Sequence, residues 1–158
     1  MKIHKMMLRS VLVVSVGCCC LFAQSPAVET DAETHVAPVI QQGFKSWGEK
    51  NDASYAFDVW KKGGFLDSDN KPAVLAGYFS RIDRTIGNYK GYEVIDAKRV
   101  SRTSQVFYVS VNFEHAVVYA KFLVYKTSRD WVVQNMDFSP KPENIMPWLA
   151  FEGVNYGQ

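Results

Sequence analysis

The chain of 158 residues has few cysteines, and none in the part expected to fold. Its three cysteines are adjacent, at Cys18 to Cys20. If the first 23 residues are removed, the remaining chain of about 135 residues has no thiol, which excludes a disulfide, a cysteine nucleophile and a thiolate metal site. A chain of this length can bury a sufficient hydrophobic core, so stability is expected to come from packing alone.

The chain also has almost no net charge. The formal charge of +2 includes Lys2, Lys5 and Arg9, and no acidic residue accompanies them before position 24. The remaining chain has 15 basic and 16 acidic residues, a formal charge of −1. Binding to nucleic acid needs a basic excess on one face of the protein. We therefore expect no nucleic acid partner.

The first 23 residues have the three-part pattern of a secretory signal peptide. A basic start leads into the uncharged run 11–23, VLVVSVGCCCLFA, which ends in small residues. A membrane span needs about 20 apolar residues, so no stable transmembrane anchor is expected in the mature form. Cleavage is predicted after Ala23, with Ala27 as a second site. The alternative is a lipid anchor at Cys18, although Ser15 stands where lipoprotein signals usually have a large aliphatic residue. We expect a periplasmic or secreted protein.

Three helices are predicted after a polar lead-in at residues 24–35. Apolar residues recur at helical spacing from Val36 to Trp47, and Gly48 or Asn51 is expected to end this first helix. Asp52 is predicted as the N-cap of a second, shorter helix that ends before Gly63. Pro72 is expected to open a third helix whose apolar stripe runs through Ile86 to Tyr89, with Gly91 as its stop.

The apolar period then changes from 3.6 to 2, which predicts four strands at 92–100, 105–113, 116–126 and 131–138. The breaks between them are short and polar, so the strands should pair as antiparallel hairpins in a meander. A closing helical turn is predicted at 143–151. The expected fold is α+β, with N-terminal helices packed on a curved four-stranded antiparallel sheet within residues 36–151, and a tail at 152–158.

This order of elements resembles the nuclear-transport-factor-2-like, or cystatin-like, superfamily, and in particular its small exported members. The matching features are a strand ending Asn112-Phe113-Glu114, a strand ending Tyr125-Lys126, a Trp that opens the last strand (Trp131), and Phe138 followed by Pro140. The resemblance implies a cone in which a bent sheet wraps a long helix, often around a cavity. Superfamily members include isomerases, dehydratases, ligand binders and assembly modules, so the fold does not select a function.

A cavity between helix and sheet would be lined by aromatic and polar side chains from both. We predict a ligand pocket at five of them: Tyr78, Tyr119, Lys121, Trp131 and Asp137. Such a pocket would bind a small apolar or aromatic ligand. The alternative is that the aromatic residues fill the core.

Strand alternation predicts which side chains share a face of the sheet. It places Lys121 with Tyr119, Leu123 and Tyr125, and Asp137 with Trp131, Val133 and Asn135. The further polar strand residues that are candidates for a concave face are Asp96, Lys98 and Gln134. The adjacent pair Glu114 and His115 is interpreted as a polar hairpin turn, with an acid–base or metal role as the alternative.

No motif for a cofactor, a metal or a nucleophile is present, and none of these groups is expected. The steroid-isomerase pattern of the superfamily requires a Tyr and two carboxyls, and no set drawn from Tyr55, Tyr78, Asp58, Asp96 and Asp137 matches it. The favoured hypothesis is a non-catalytic ligand-binding or accessory module. Two alternatives remain open: a cofactor-free acid–base enzyme, and a homodimeric interaction module that uses the outer face of its sheet.

Overall fold

The computed structural model describes residues 36–150, which form three α-helices followed by a four-stranded antiparallel sheet. The predicted α+β class is confirmed. The predicted signal peptide (1–23), the lead-in (24–35) and the tail (152–158) lie outside the described residues. None of the helices in the described part is long and apolar enough to cross a membrane.

The helices are α1 (Pro38–Lys50), α2 (Ala53–Trp60) and α3 (Lys71–Ile86), and a short 3₁₀ turn at Phe65–Asp67 precedes α3. Proline in the first turn of α1 and of α3 costs no helical hydrogen bond. The Asp52 carboxylate accepts a hydrogen bond from the Ser54 N–H at 2.8 Å and caps α2, as predicted.

The sheet consists of β1 (Tyr89–Arg99), β2 (Ser104–Phe113), β3 (Val117–Lys126) and β4 (Trp131–Ser139). The strands lie in the order β1-β2-β3-β4, and every neighbouring pair is antiparallel. The meander predicted from the short polar breaks is therefore present, because connections of this length can only join antiparallel strands.

The predicted end of α3 is wrong. The apolar stripe suggested a helix that continues through Tyr89 towards Gly91, but α3 ends at Ile86 and Tyr89 already opens β1. Gly87 has φ +79°, a left-handed conformation that only glycine adopts without strain. This residue closes the helix, and the Gly87 N–H donates to the Asp83 carbonyl at 2.8 Å.

The sheet has two faces with different partners. The helix face packs against α1 and α2 and forms the main core, whereas the opposite face is termed the outer face. At the centre of the core the rings of Phe44, Trp60 and Phe122 contact one another, with centroids 4.9–5.8 Å apart. Further fully buried members of this core are Ile40, Phe57, Phe107, Val109, Val111, Val124, Val133 and Met136.

A β-bulge in β4 corrects the predicted face of Asp137. Leu123 pairs with Asn135 and the next residue, Val124, pairs with Val133, so Gln134 is an extra residue without a partner. An extra residue exchanges the two faces of a strand from that point on. Val133 consequently lies in the core and Trp131 packs against it, whereas Asn135 and Asp137 lie on the outer face.

Residues 140–148, termed the C-terminal segment, turn back over the outer face. The Asn144 amide donates to the Ser139 hydroxyl at 3.1 Å, and Ile145 and Met146 are buried outside the main core. The Trp148 ring packs edge-on against Tyr108 of β2 at 4.6 Å. The segment contains 3₁₀ turns at Pro142–Asn144 and Pro147–Ala150, close to the predicted closing turn.

Candidate functional site

A cleft of about 480 Å³ lies at the end of the fold where α3 meets the turn between β2 and β3. We term it the end cleft. Three chain connections converge there: the α1–α2 junction, the α3–β1 junction and the β2–β3 turn. Its walls are formed by Trp47, Asn51, Asp52, Ala53, Phe79, Ser80, Asp83, Arg84, Ile86, Gly87, Asn88, Tyr89, Phe113, Glu114 and His115.

The α1–α2 junction is held against the α3–β1 junction by a pair of asparagines. Asn51 adopts a left-handed conformation with φ +49°, which asparagine tolerates better than most residues. Its side-chain amide donates to the Asn88 side-chain oxygen at 2.8 Å. This hydrogen bond joins residues that are 37 positions apart and closes one side of the cleft.

The β2–β3 turn is fixed to the end of α3 by main-chain hydrogen bonds. The His115 N–H donates to the Ile86 carbonyl at 2.9 Å, and the Glu114 N–H donates to the Asn88 carbonyl at 3.0 Å. The two chains can approach this closely because Gly87 has no side chain. A Cβ at position 87 would lie 2.5 Å from the Glu114 Cβ.

The Glu114 carboxylate completes this connection and is ionised. It accepts hydrogen bonds from the Lys90 ammonium at 2.8 Å and from the Asn88 main-chain and side-chain N–H groups, both at 3.1 Å. The hydrogen bond from Lys90 and that from the Asn88 backbone lower the pKa of Glu114 below its usual value. Glu114 and His115 do form the predicted exposed hairpin turn. In addition, Glu114 ties β2, β3 and the start of β1 together.

The floor of the end cleft is made of four aromatic rings, of which Trp47 contacts the other three. Trp47 lies 5.0 Å from Phe79, 5.2 Å from Tyr89 and 5.7 Å from Phe113, measured between ring centroids. Trp47 and Phe79 are buried, whereas Tyr89 and Phe113 are half-buried and offer ring surface to a ligand. Burial raises the pKa of the Tyr89 phenol, which therefore keeps its proton.

Of the five residues predicted for a pocket, Lys121 and Asp137 lie in contact, the five do not form one group, and none of them lines the end cleft. Tyr78 lies on α3 and is 39% exposed. Trp131 packs against the main core. Tyr119, Lys121 and Asp137 lie on the outer face, and Lys121 shares that face with Leu123 and Tyr125, as alternation predicts. Ligand binding by any of the five stays a prediction.

Lys121 and Asp137 form an ion-pair network with Lys71, which no pattern in the sequence indicates. Asp137 accepts hydrogen bonds from Lys71 at 2.8 Å and lies 3.2 Å from the Lys121 ammonium, and Lys71 also donates to Asn135 at 2.8 Å. Burial raises the pKa of Asp137, but the bonds from Lys71 and Lys121 outweigh it and lower the pKa below its usual value. The network attaches the start of α3 to β4.

The remaining polar strand residues also lie away from the end cleft. Asp96 pairs with Tyr108, which pairs with Lys121, so these three form one row across the outer face. Lys98 lies 3.4 Å from Asp96 and 3.9 Å from the centre of the Trp148 ring. Gln134 is the bulge residue. Within residues 36–150 no group of three or more His, Cys, Asp or Glu side chains could hold a metal ion.

The sequence does not predict the end cleft, because its polar residues have separate local interpretations. Asn51 and Asp52 are predicted as a helix stop and a cap, and Glu114 and His115 as a hairpin turn. The available signal is that helix and strand ends rich in Asn, Gly and Asp recur at 51–52, 87–88 and 112–115. Which of these ends meet is decided by the tertiary fold.

No protein-family model matches the chain, and no curated protein matches it. Among solved structures, the chain is similar to a domain of unknown function with a cystatin-like fold from Nostoc punctiforme. The TM-score is 0.46 and the sequence identity 11%, over 80% of this chain and 89% of that chain.

Proposed function

We propose that this domain is a non-catalytic binding module, of the nuclear-transport-factor-2-like kind, whose small ligand occupies the end cleft. The observation that carries the proposal is the combination of a four-ring aromatic floor with a rim of polar side chains, in a cleft of about 480 Å³. Ligand pockets in proteins usually have volumes of about 300–1,000 Å³ and combine apolar walls with a few polar groups.

The rigidity of the rim also supports binding. The Asn51–Asn88 bond, the two main-chain bonds of the β2–β3 turn and the three bonds to Glu114 fix all three connections around the cleft. A site that is already ordered loses less conformational entropy when a ligand binds.

An acid–base enzyme is less well supported. A general acid or base works best with a pKa near the operating pH, which for a carboxyl group means a raised value. The two described carboxyls with a shifted pKa, Glu114 and Asp137, are both shifted downwards. Each is also occupied by lysine hydrogen bonds.

A homodimer through the outer face is the second alternative. Val117 and Tyr125 are about 40% exposed on this face, which gives it some apolar surface. However, the C-terminal segment already covers Tyr108 in the neighbouring part of the sheet. The apolar surface left for a second copy is therefore reduced.

The proposal includes export, on the basis of the predicted signal peptide. The domain would work in the periplasm or outside the cell, either free or held by lipid at Cys18. Mass spectrometry of the exported protein distinguishes these forms, because a mature chain starting at Gln24 cannot carry lipid on Cys18.

The binding proposal is tested by obstructing the end cleft. Ser80 lies on the rim, so Ser80→Trp should fill the entrance, whereas Thr85→Trp adds the same side chain to an exposed position of α3 outside the cleft. A panel of small aromatic compounds is added to ¹⁵N-labelled protein, and amide shifts are recorded by NMR. We expect binders that shift the amides of residues 51–53, 87–89 and 113–115.

Ser80→Trp should abolish these shifts, and Thr85→Trp should leave them intact. The proposal is wrong if no compound shifts these three groups of amides, or if Ser80→Trp binds the same compounds as well as the unmodified protein. Folded spectra of both variants are required for the comparison.

A further inference from the structure

Two carboxylates on the rim of the end cleft have no cationic partner among the described residues. The Asp52 carboxylate accepts only the Ser54 N–H, and the Asp83 carboxylate accepts only the N–H of Arg84. They differ in this respect from Glu114, whose charge is paired with Lys90. Asp52 caps α2 and Asp83 lies on α3, so the fold brings two carboxylates without an ion-pair partner among the described residues to one cleft.

The aromatic floor of the end cleft also favours a positively charged ligand. The face of an aromatic ring is electrically negative and attracts a cation within about 6 Å of its centre. Tyr89 and Phe113 line the end cleft and are half-buried, and they stack on Trp47 and Phe79 respectively. Both the rim and the floor would therefore stabilise a positive group.

One positive side chain also lines the end cleft, and it has to be weighed. Arg84 is exposed and forms no ion pair with the described residues. The rim has three carboxylates against this one guanidinium, and Lys90 compensates only Glu114. The net charge of the rim therefore stays negative. An anionic ligand that contacted Arg84 would also be repelled by Asp52 and Asp83.

We infer that the ligand of the end cleft is a small organic cation, in which an ammonium group is joined to an aromatic or alkyl body. This inference rests on the proposed function, since it names the class of ligand for the same site. The ammonium would lie between the carboxylates of Asp52 and Asp83, and the body would contact Tyr89 and Phe113.

The test uses three probes that share a benzyl or phenyl ring and differ in charge. They are benzyltrimethylammonium, benzyl alcohol and benzenesulfonate, and NMR titration of the amides around the end cleft gives an affinity for each. We expect the cation to bind about tenfold more tightly than the neutral probe and the anion to bind most weakly. Added salt should weaken binding of the cation only.

A pair of substitutions that removes both negative charges with little change in side-chain size tests the two carboxylates directly. Asp52→Asn keeps the helix cap, because asparagine caps as well as aspartate, and Asp83→Asn removes the second charge. The double variant should bind benzyltrimethylammonium about tenfold more weakly and benzyl alcohol as before. Asp67→Asn with Asp69→Asn is the matched control, since it removes two exposed carboxylates outside the cleft.

The outcomes separate this inference from the proposed function. If benzyl alcohol or benzenesulfonate binds as tightly as the cation, and Ser80→Trp blocks that binding, the cleft is a binding site but the inference on charge is wrong. The inference is also wrong if Asp52→Asn with Asp83→Asn has no larger effect than the control pair. The three-probe series on the unmodified protein gives this answer even if a variant does not fold.

Discussion

At the scale of single residues, the core depends on one glycine. Gly43 lies on the buried side of α1, directly beside the Trp60 ring, and a Cβ there would overlap the indole Nε1. Trp60 cannot move away, because it is fully buried and its indole N–H donates to the Ile40 carbonyl at 3.4 Å. The indole thus occupies the space that a side chain at position 43 would need.

Gly43→Ala is expected to lower the free energy of unfolding by about 2–3 kcal/mol, because overpacking of a filled core displaces side chains from their preferred positions. Gly77→Ala is the matched control on α3. No atom lies within 4 Å of its added Cβ, so it should raise the free energy of unfolding by about 0.5–1 kcal/mol. Urea denaturation measures both values, and equal effects of the two substitutions would contradict the role given to Gly43.

The sequence predicts that one face of α1 between Val36 and Trp47 is buried, but it does not predict why a glycine stands at position 43 on that face. Periodicity identifies which positions of a helix face inwards. It does not identify Trp60 as the neighbour, since the two residues come from different helices. The rings of Phe44, Trp60 and Phe122 meet in the core, whereas Tyr78 and Tyr119 do not belong to it.

At the scale of elements, the bulge at Gln134 decides which half of β4 faces the helices. Deletion of Gln134 would restore strict alternation and turn either Val133 and Trp131 or Met136 and Phe138 out of the core. We expect the deletion to abolish cooperative unfolding. Gln134→Ala keeps the extra residue and should change the free energy of unfolding by about 0.5 kcal/mol or less.

Thermal unfolding followed by circular dichroism distinguishes these outcomes. A deletion variant that unfolds cooperatively near the melting temperature of Gln134→Ala would show that the bulge does not set the face. The bulge also explains a wrong prediction, because simple alternation placed Asp137 with Trp131. The extra residue is a glutamine, which is not unusual in a strand, so the sequence shows no sign of the bulge.

The ion pairs of Asp137 should make stability depend on pH. Because the folded protein lowers the pKa of Asp137 below the ordinary value of 3.8, the stabilisation is present above that value and is lost as the pH falls through the lower folded-state pKa. Asp137→Asn should therefore cost stability at neutral pH and converge with the unmodified protein towards pH 2.

Denaturation curves between pH 7 and pH 2 measure this difference. Lys71→Met removes the closer of the two lysines and should reduce the same pH dependence. A constant difference between Asp137→Asn and the unmodified protein at every pH would contradict the ionic origin of the stabilisation. A carboxylate that is about one-third exposed is screened by water, so the effect should be modest.

At the scale of the whole molecule, the order of helices and strands could be predicted and the candidate site could not. Each helix and strand is signalled by its own few residues, whereas the end cleft joins positions near 51, 88 and 114. These meet only after α1, α3 and the β2–β3 hairpin have packed together. The pocket was expected between helices and sheet, where the structure instead places the aromatic core.

The pairing of each strand with its neighbour in sequence bears on how the chain folds. Hairpins closed by short turns form early, because closing a short loop costs little entropy. The aromatic faces of α1 and α2, in contrast, are covered only when Phe122 of β3 and Phe138 of β4 pack against them. Because synthesis proceeds from the N-terminus, α1 and α2 are made first, and the strands that cover their aromatic faces are made last. The nascent chain therefore exposes Phe57 and Trp60 until the final strand is made, the period in which it is most prone to aggregate or to bind a chaperone.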